Sequence, residues 1–204
     1  MLNPSLQQAP TSHAIAMEIQ TLKQDWLDKG EVLYTLTPPV VDKTLVNELT
    51  YTFLTTCGLP HSVAPFLSFD DVKENSLLTP SQAYKLDFYE LNNYLMLGAN
   101  GSGDPVCIDT INNNEIVYLN HDNYFERVFI NTDIIKFSIC LLKYNNFIRS
   151  LVVQESNVYS RRKFDNLELE ILMDNLIQVD KSCLSDNSFW KPEIDYLLYE
   201  RDND

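Results

Sequence analysis

The chain reads as an α+β protein, with a central, mostly antiparallel sheet (a meander of about four or more strands) flanked by helices. Three observations predict it. Short apolar runs at 94–97, 106–108, 116–119 and 124–130 are separated by brief connections rich in Gly, Asn and Asp. Connections that short join antiparallel neighbours. Helical periodicity frames these runs on both sides, most strongly after 131. Finally, Gly98, Gly101 and Gly103 are three of only five glycines in 204 residues. Glycine goes where the backbone needs positive φ or close approach, so the unusual geometry concentrates in one turn.

In chain order, residues 1–11 read as a flexible tail of a single domain spanning 1–204. Ser12 is placed to cap a helix whose Ile15, Ile19, Leu22 and Trp26 share one face, with Gly30 closing it. Val32, Tyr34 and Leu36 alternate before Pro38-Pro39 and read as extended. Asp42 is expected to cap a second helix carrying Val46, Leu49 and Phe53, and Gly58-Leu59-Pro60 ends it. Residues 64–69 read as a strand and 70–81 as a polar connection. The four runs from 94 to 130 follow; the first three are almost continuously apolar, which predicts cover on both sheet faces. Asn131 or Thr132 is expected to cap the strongest helix, with Ile134, Phe137, Leu141, Tyr144, Ile148 and Leu151 on one stripe. Arg161-Arg162-Lys163 reads as an exposed loop. Asp165 starts a helix through Leu169, Leu172 and Leu176, and Pro192 suits the first turn of a short last helix carrying Ile194, Leu197 and Leu198. Trp26 and Trp190 read as core.

Composition narrows the function. Apolar residues make up 45% of the chain, enough for a core. No apolar run approaches the ~18 residues of a membrane span, and the first residues lack the basic start and apolar stretch of a signal peptide. A cytoplasmic location is therefore expected. Cys57, Cys107, Cys140 and Cys183 form no C-x-x-C pair and read as buried thiols, not disulfides or a zinc site. The net charge is −14. Such a surface repels nucleic acid and anionic membrane and attracts basic proteins. Half of that charge lies in one segment. From 86 to 126 there is no Lys or Arg, against Asp87, Glu90, Asp104, Asp109, Glu115, Asp122 and Glu126.

The motifs of catalysis are missing. Gly101-Ser102-Gly103 lacks the third glycine of a dinucleotide turn and leads into a strand instead of a helix. Ser102 is not in a nucleophile elbow, because Asn100 and Asp104 stand where that motif has glycines. His121-Asp122 has the composition of an acid–base or metal pair, but a turn histidine beside a turn aspartate is the plainer reading. Asp104, Asp109 and Asp122 lack calcium-loop spacing, and Asp104 reads as a turn cap. No metal or cofactor is implied.

The stretch Leu97-Gly98-Ala99-Asn100-Gly101-Ser102-Gly103-Asp104-Pro105-Val106-Cys107-Ile108-Asp109 resembles the central motif of the SUKH superfamily (SMI/KNR-like). So do Ile116-Val117-Tyr118-Leu119-Asn120-His121-Asp122 and Phe129-Ile130-Asn131-Thr132 downstream, and Gly58-Leu59-Pro60 and Phe66-Leu67-Ser68-Phe69 upstream. The resemblance covers roughly 42–155, and Phe189-Trp190 extends the pattern. It implies an α+β fold and a non-catalytic bacterial immunity protein that neutralises a toxin, often a nuclease or deaminase. An acidic inhibitor suits the basic cleft of a nuclease. Asp104, Glu115, Asp122 and Glu126 are the expected contacts with a basic toxin domain, and Gly98, Gly101 and Gly103 the structural turn. Two other readings stand beside it: a cytosolic regulatory scaffold or ligand-binding module of the same fold, and a hydrolase using Asp104, Asp109 and His121. The sequence gives no indication of oligomeric state.

Overall fold

The structure is a computed structural model that describes residues 12–69, 77–155, 158–161 and 163–203. The expected tail, most of the polar connection 70–81, and Arg162 lie outside them. The fold is α+β, as the patterning predicts. Helix α1 (Ser12–Asp28) buries Ile19, Leu22 and Trp26, and Gly30 ends it at φ 78°. Ser12 is already helical, so it does not act as the cap. Strand β1 (Leu33–Tyr34) pairs antiparallel with β2 (Leu59–Pro60). Between them, helix α2 (Glu48–Thr56) begins later than expected. Its cap is Asn47, whose side chain accepts from the Thr50 amide. Asp42 instead accepts from the Thr44 amide and hydroxyl in a separate turn.

The run 64–69 is not one strand. Strands β3 (Ser62–Val63) and β4 (Leu67–Ser68) form a hairpin, with Phe66 at φ 56° in its turn. Helix α3 (Pro80–Tyr84) also escaped the pattern. It is a single turn held by a capping box between Thr79 and Gln82, too short to show a period. A 3-10 turn (Tyr89–Asn93) then leads into the sheet.

Strands β5 (Tyr94–Ala99), β6 (Pro105–Asp109), β7 (Glu115–Asn120) and β8 (Glu126–Asn131) pair in sequence order, all antiparallel. With the hairpin they make a six-stranded sheet, β3-β4-β5-β6-β7-β8. The last strand starts two residues later than the apolar run suggests, because Tyr124 and Phe125 take positive φ. Every residue of β6 is buried, so the double cover expected of continuous apolar runs holds in full for this central strand. One face meets the main core of α1, α2 and the later helices. The other is sealed by Leu86, Leu91 and Phe125 over Cys107, Val117 and Leu119.

Helix α4 (Ile134–Leu151) is capped by Asp133, which accepts from the Lys136 amide, and not by Asn131 or Thr132. Asn131 has a deeper task. It is fully buried, donates to Asp180 at 3.0 Å and accepts from the Trp190 indole at 3.0 Å. Trp26 likewise donates to Ser138 at 2.9 Å. Both tryptophans are core residues whose N–H finds a partner, as burial of an indole demands. Strands β9 (Val152–Glu155) and β10 (Val158–Arg161) form a second hairpin; Arg161 of the expected 161–163 loop is the last residue of β10, while Lys163 lies beyond the strand and is exposed. Helix α5 (Asn166–Val179) carries the expected Asp165 cap. Helix α6 (Trp190–Asn203) has Pro192 in its first turn but runs for 14 residues. All four cysteines are buried and unpaired.

Candidate functional site

The glycine turn is tied to the turn after β7. Asn100 accepts from the amides of Ser102 and Asp104 and donates to the Asp104 carboxylate at 2.8 Å. That carboxylate also accepts from the His121 amide at 2.9 Å and meets its Nδ1 at 2.6 Å. Burial works to raise the Asp104 pKa, but the hydrogen bonds from His121 and Asn100 outweigh it and leave the group below its ordinary value. The bond to Asp104 in turn raises His121 above the usual imidazole value. Asp104 is 6% exposed. It is therefore an internal fastener, not a surface charge.

Glu115 is half-buried but is likewise engaged within the fold. Arg127 on β8 reaches back to Glu115 and, at 2.7 Å, to Asp109, which is fully buried. Asp109 also holds the β6–β7 turn by accepting from Asn112. Thus three of the seven acids are consumed by the fold. Of the four expected contact residues, only Asp122 and Glu126 stand exposed. Asp87 and Glu90 are exposed too.

The exposed acids share their neighbourhood with aromatic side chains. Phe125 lies 6.2 Å from the Tyr84 ring and 6.5 Å from Phe88, between ring centroids. Those contacts bring the 84–90 segment against the turn at 121–126. Tyr84, Phe88, Tyr89 and Tyr124 are all exposed, Tyr89 by 78% and Tyr124 by 97%. Tyr124 stands outward on a left-handed backbone, φ 53°, a conformation uncommon for a bulky residue. In the sequence the group shows only as two separate pairs, Phe88-Tyr89 and Tyr124-Phe125, which the fold brings together through Phe125.

The three residues of the hydrolase reading do not gather. Asp104 precedes β6 and Asp109 ends it, about 16 Å apart at the rise of a strand. The Nε2 of His121, which a nucleophile would need, faces Asp122 at 3.3 Å. Among the described residues, no group of three His, Cys, Asp or Glu is placed to hold a metal. No described helix is long and apolar enough to cross a membrane.

The geometry is that of an antiparallel meander backed by helices, with exposed acids set among exposed aromatics at 84–90 and 121–126. The family model for SUKH-4 immunity proteins matches residues 22–196, and the chain belongs to that family. No curated protein and no solved structure matched it.

Proposed function

We propose that this immunity protein is non-catalytic and acts in the cytosol. It binds a basic toxin domain, a nuclease or a deaminase, through the aromatic and acidic face of residues 84–90 and 121–126. The observation that carries this is the exposure of Tyr84, Phe88, Tyr89 and Tyr124 among Asp87, Glu90, Asp122 and Glu126. Aromatic side chains anchor interfaces, since they bring large area at little entropic cost. Acids around them complement the basic cleft a nuclease uses for phosphate. Asp104 and Glu115 support this face from within.

The test uses the basic nuclease or deaminase toxin domain that the protein is proposed to neutralise. Changing Asp87, Glu90, Asp122 and Glu126 together to Lys should slow association about 10- to 1000-fold at low salt and flatten its salt dependence. Tyr124→Ala should instead speed dissociation and weaken binding by about 2 kcal/mol. A folded charge variant that associates as fast as wild type at low salt would exclude this face.

A further inference from the structure

A second site lies beside the glycine turn. The β3–β4 hairpin, Gly101, helix α4 and helix α6 line an open cavity of about 650 Å³, within the range of small-molecule sites. Pro65, Ile148 and Leu197 supply apolar wall, and Tyr144 and Tyr196 supply aromatic surface. Its charged lining among the described residues is Glu193 and Glu200, seven residues apart on α6 and so on one helical face, with no Lys, Arg or His among the described lining residues. Glu193 is half-buried, and burial pushes its carboxyl up to about 7. Asn145 lines the same cavity. It is 7% exposed, and its amide nitrogen has no hydrogen-bond partner among the described residues.

The lip of the cavity is built at a conformational cost. Phe66 is 76% exposed and sits at φ 56°. Its Cβ lies where a side chain on Gly101 would come within 3.0 Å. The glycine thus lets the hairpin turn close against β5–β6 and set the rim. A non-glycine residue held in the left-handed region without gaining burial points towards a use other than packing.

We propose that this cavity binds an organic cation of the lysine or arginine type: an ammonium or guanidinium on an alkyl chain, with a carbonyl close behind. The cation lies between Glu193 and Glu200 and against the tyrosine faces, where ring quadrupoles attract it. The alkyl chain packs on Ile148 and Leu197. The carbonyl accepts from Asn145, whose buried donor otherwise goes unmet. This chemistry comes either from a free amine or from a basic side chain of a bound polypeptide. The site does not depend on the toxin-docking face proposed above, which uses none of these residues.

The probes are N-acetyl-lysine amide and N-acetyl-arginine amide, with N-acetyl-norleucine amide as the uncharged control. Binding is followed in the full chain by the side-chain amide resonance of Asn145. Saturable shifts with the two cations, absent with norleucine, are expected. Glu193→Gln should weaken them at least about tenfold, and Ile148→Trp, which fills the cavity from a half-buried position, should abolish them while the protein stays folded. A second arm measures the affinity of the same variants for the toxin domain. Loss of toxin affinity in both variants assigns the site to a toxin side chain, and unchanged affinity assigns it to a free amine. Either supports the proposal. No saturable shift with either cation, or equal shifts with norleucine, overturns it. Because the docking-face variants leave the cavity intact, their result and this one fail separately.

Discussion

Gly98 and Gly103 sit five residues apart and are glycine for opposite reasons. A Cβ on Gly98 would fall inside the carbonyl oxygen of Ser68, where β4 is held to β5 by the single pairing Ser68↔Ala99. Gly103 has open space around it but takes φ +87°. Gly98→Ala should therefore cost about 3 kcal/mol, as forced overpacking against backbone does. Gly103→Ala should cost only about 1 kcal/mol of conformational strain. Thermal midpoints of the two variants check the order, and equal losses would contradict it. The Asp104–His121 pair adds a pH signature. Asp104 is lowered, so its contribution is present above the ordinary carboxylate pKa and lost as pH falls through the folded value. His121 is raised, so its contribution is complete below its unfolded pKa near ~6.5 and lost as pH rises through the folded value. The pair is thus strongest between about pH 4 and 6.5. His121→Asn should remove part of the decline in melting temperature between pH 6 and pH 8. A variant with the full wild-type decline would show that the pair does not couple to folding.

At the scale of elements, the meander was legible because alternate apolar runs and turn residues are local signals. The strand order β5-β6-β7-β8 follows from connections too short for anything but antiparallel pairing. Short elements left no period to read. The β3–β4 hairpin hides in a run that looks like one strand, because Phe66 carries no local mark of its left-handed backbone. Capping was misplaced for a different reason. Asn131 is a good cap residue by type, but burial beside Asp180 and Trp190 recruited it into the core, and Asp133 two residues on took the role. The candidate face was half legible. Charge marked the segment and Asp104 reads as a turn cap by type, yet only the fold shows that Asp104 is buried against His121 and that Asp109 and Glu115 are spent on Arg127. That ion pair locks β8 to the β6–β7 turn. Asp109→Ala would leave Arg127 with Glu115 alone and strip the β6–β7 turn of its buried acceptor, which should destabilise by about 2 kcal/mol. Replacing both, Asp109→Ala with Arg127→Met, should recover part of the loss. Urea midpoints of the single and double variants measure the coupling, and simple additivity would mean that the pair is not energetically linked.

For the whole molecule, the question is what an excess of 14 negative charges costs in the absence of a partner. Like charges displayed together repel, and that repulsion opposes the compact state. Asp87, Glu90, Asp122 and Glu126 are exposed and lie in a stretch that has no Lys or Arg between 86 and 126 to offset them. Salt screens such exposed charges far more than buried ones, since the Debye length falls from about 30 Å at 0.01 M to about 8 Å at 0.15 M. The free protein should therefore melt at a higher temperature in 0.15 M than in 0.01 M NaCl. Changing those four residues to Asn or Gln takes the formal charge from −14 to −10, by removing four acids. That variant should melt higher than wild type at low salt and gain less on addition of NaCl. A basic partner would act as salt does, by neutralising the same residues, so the wild-type protein should gain more stability from the toxin domain than the variant does. Melting curves of both proteins, free and in complex at the two salt concentrations, decide the matter. If the wild-type midpoint does not move with salt, the acids are spaced widely enough to cost nothing, and the stored repulsion that would favour a basic partner is absent.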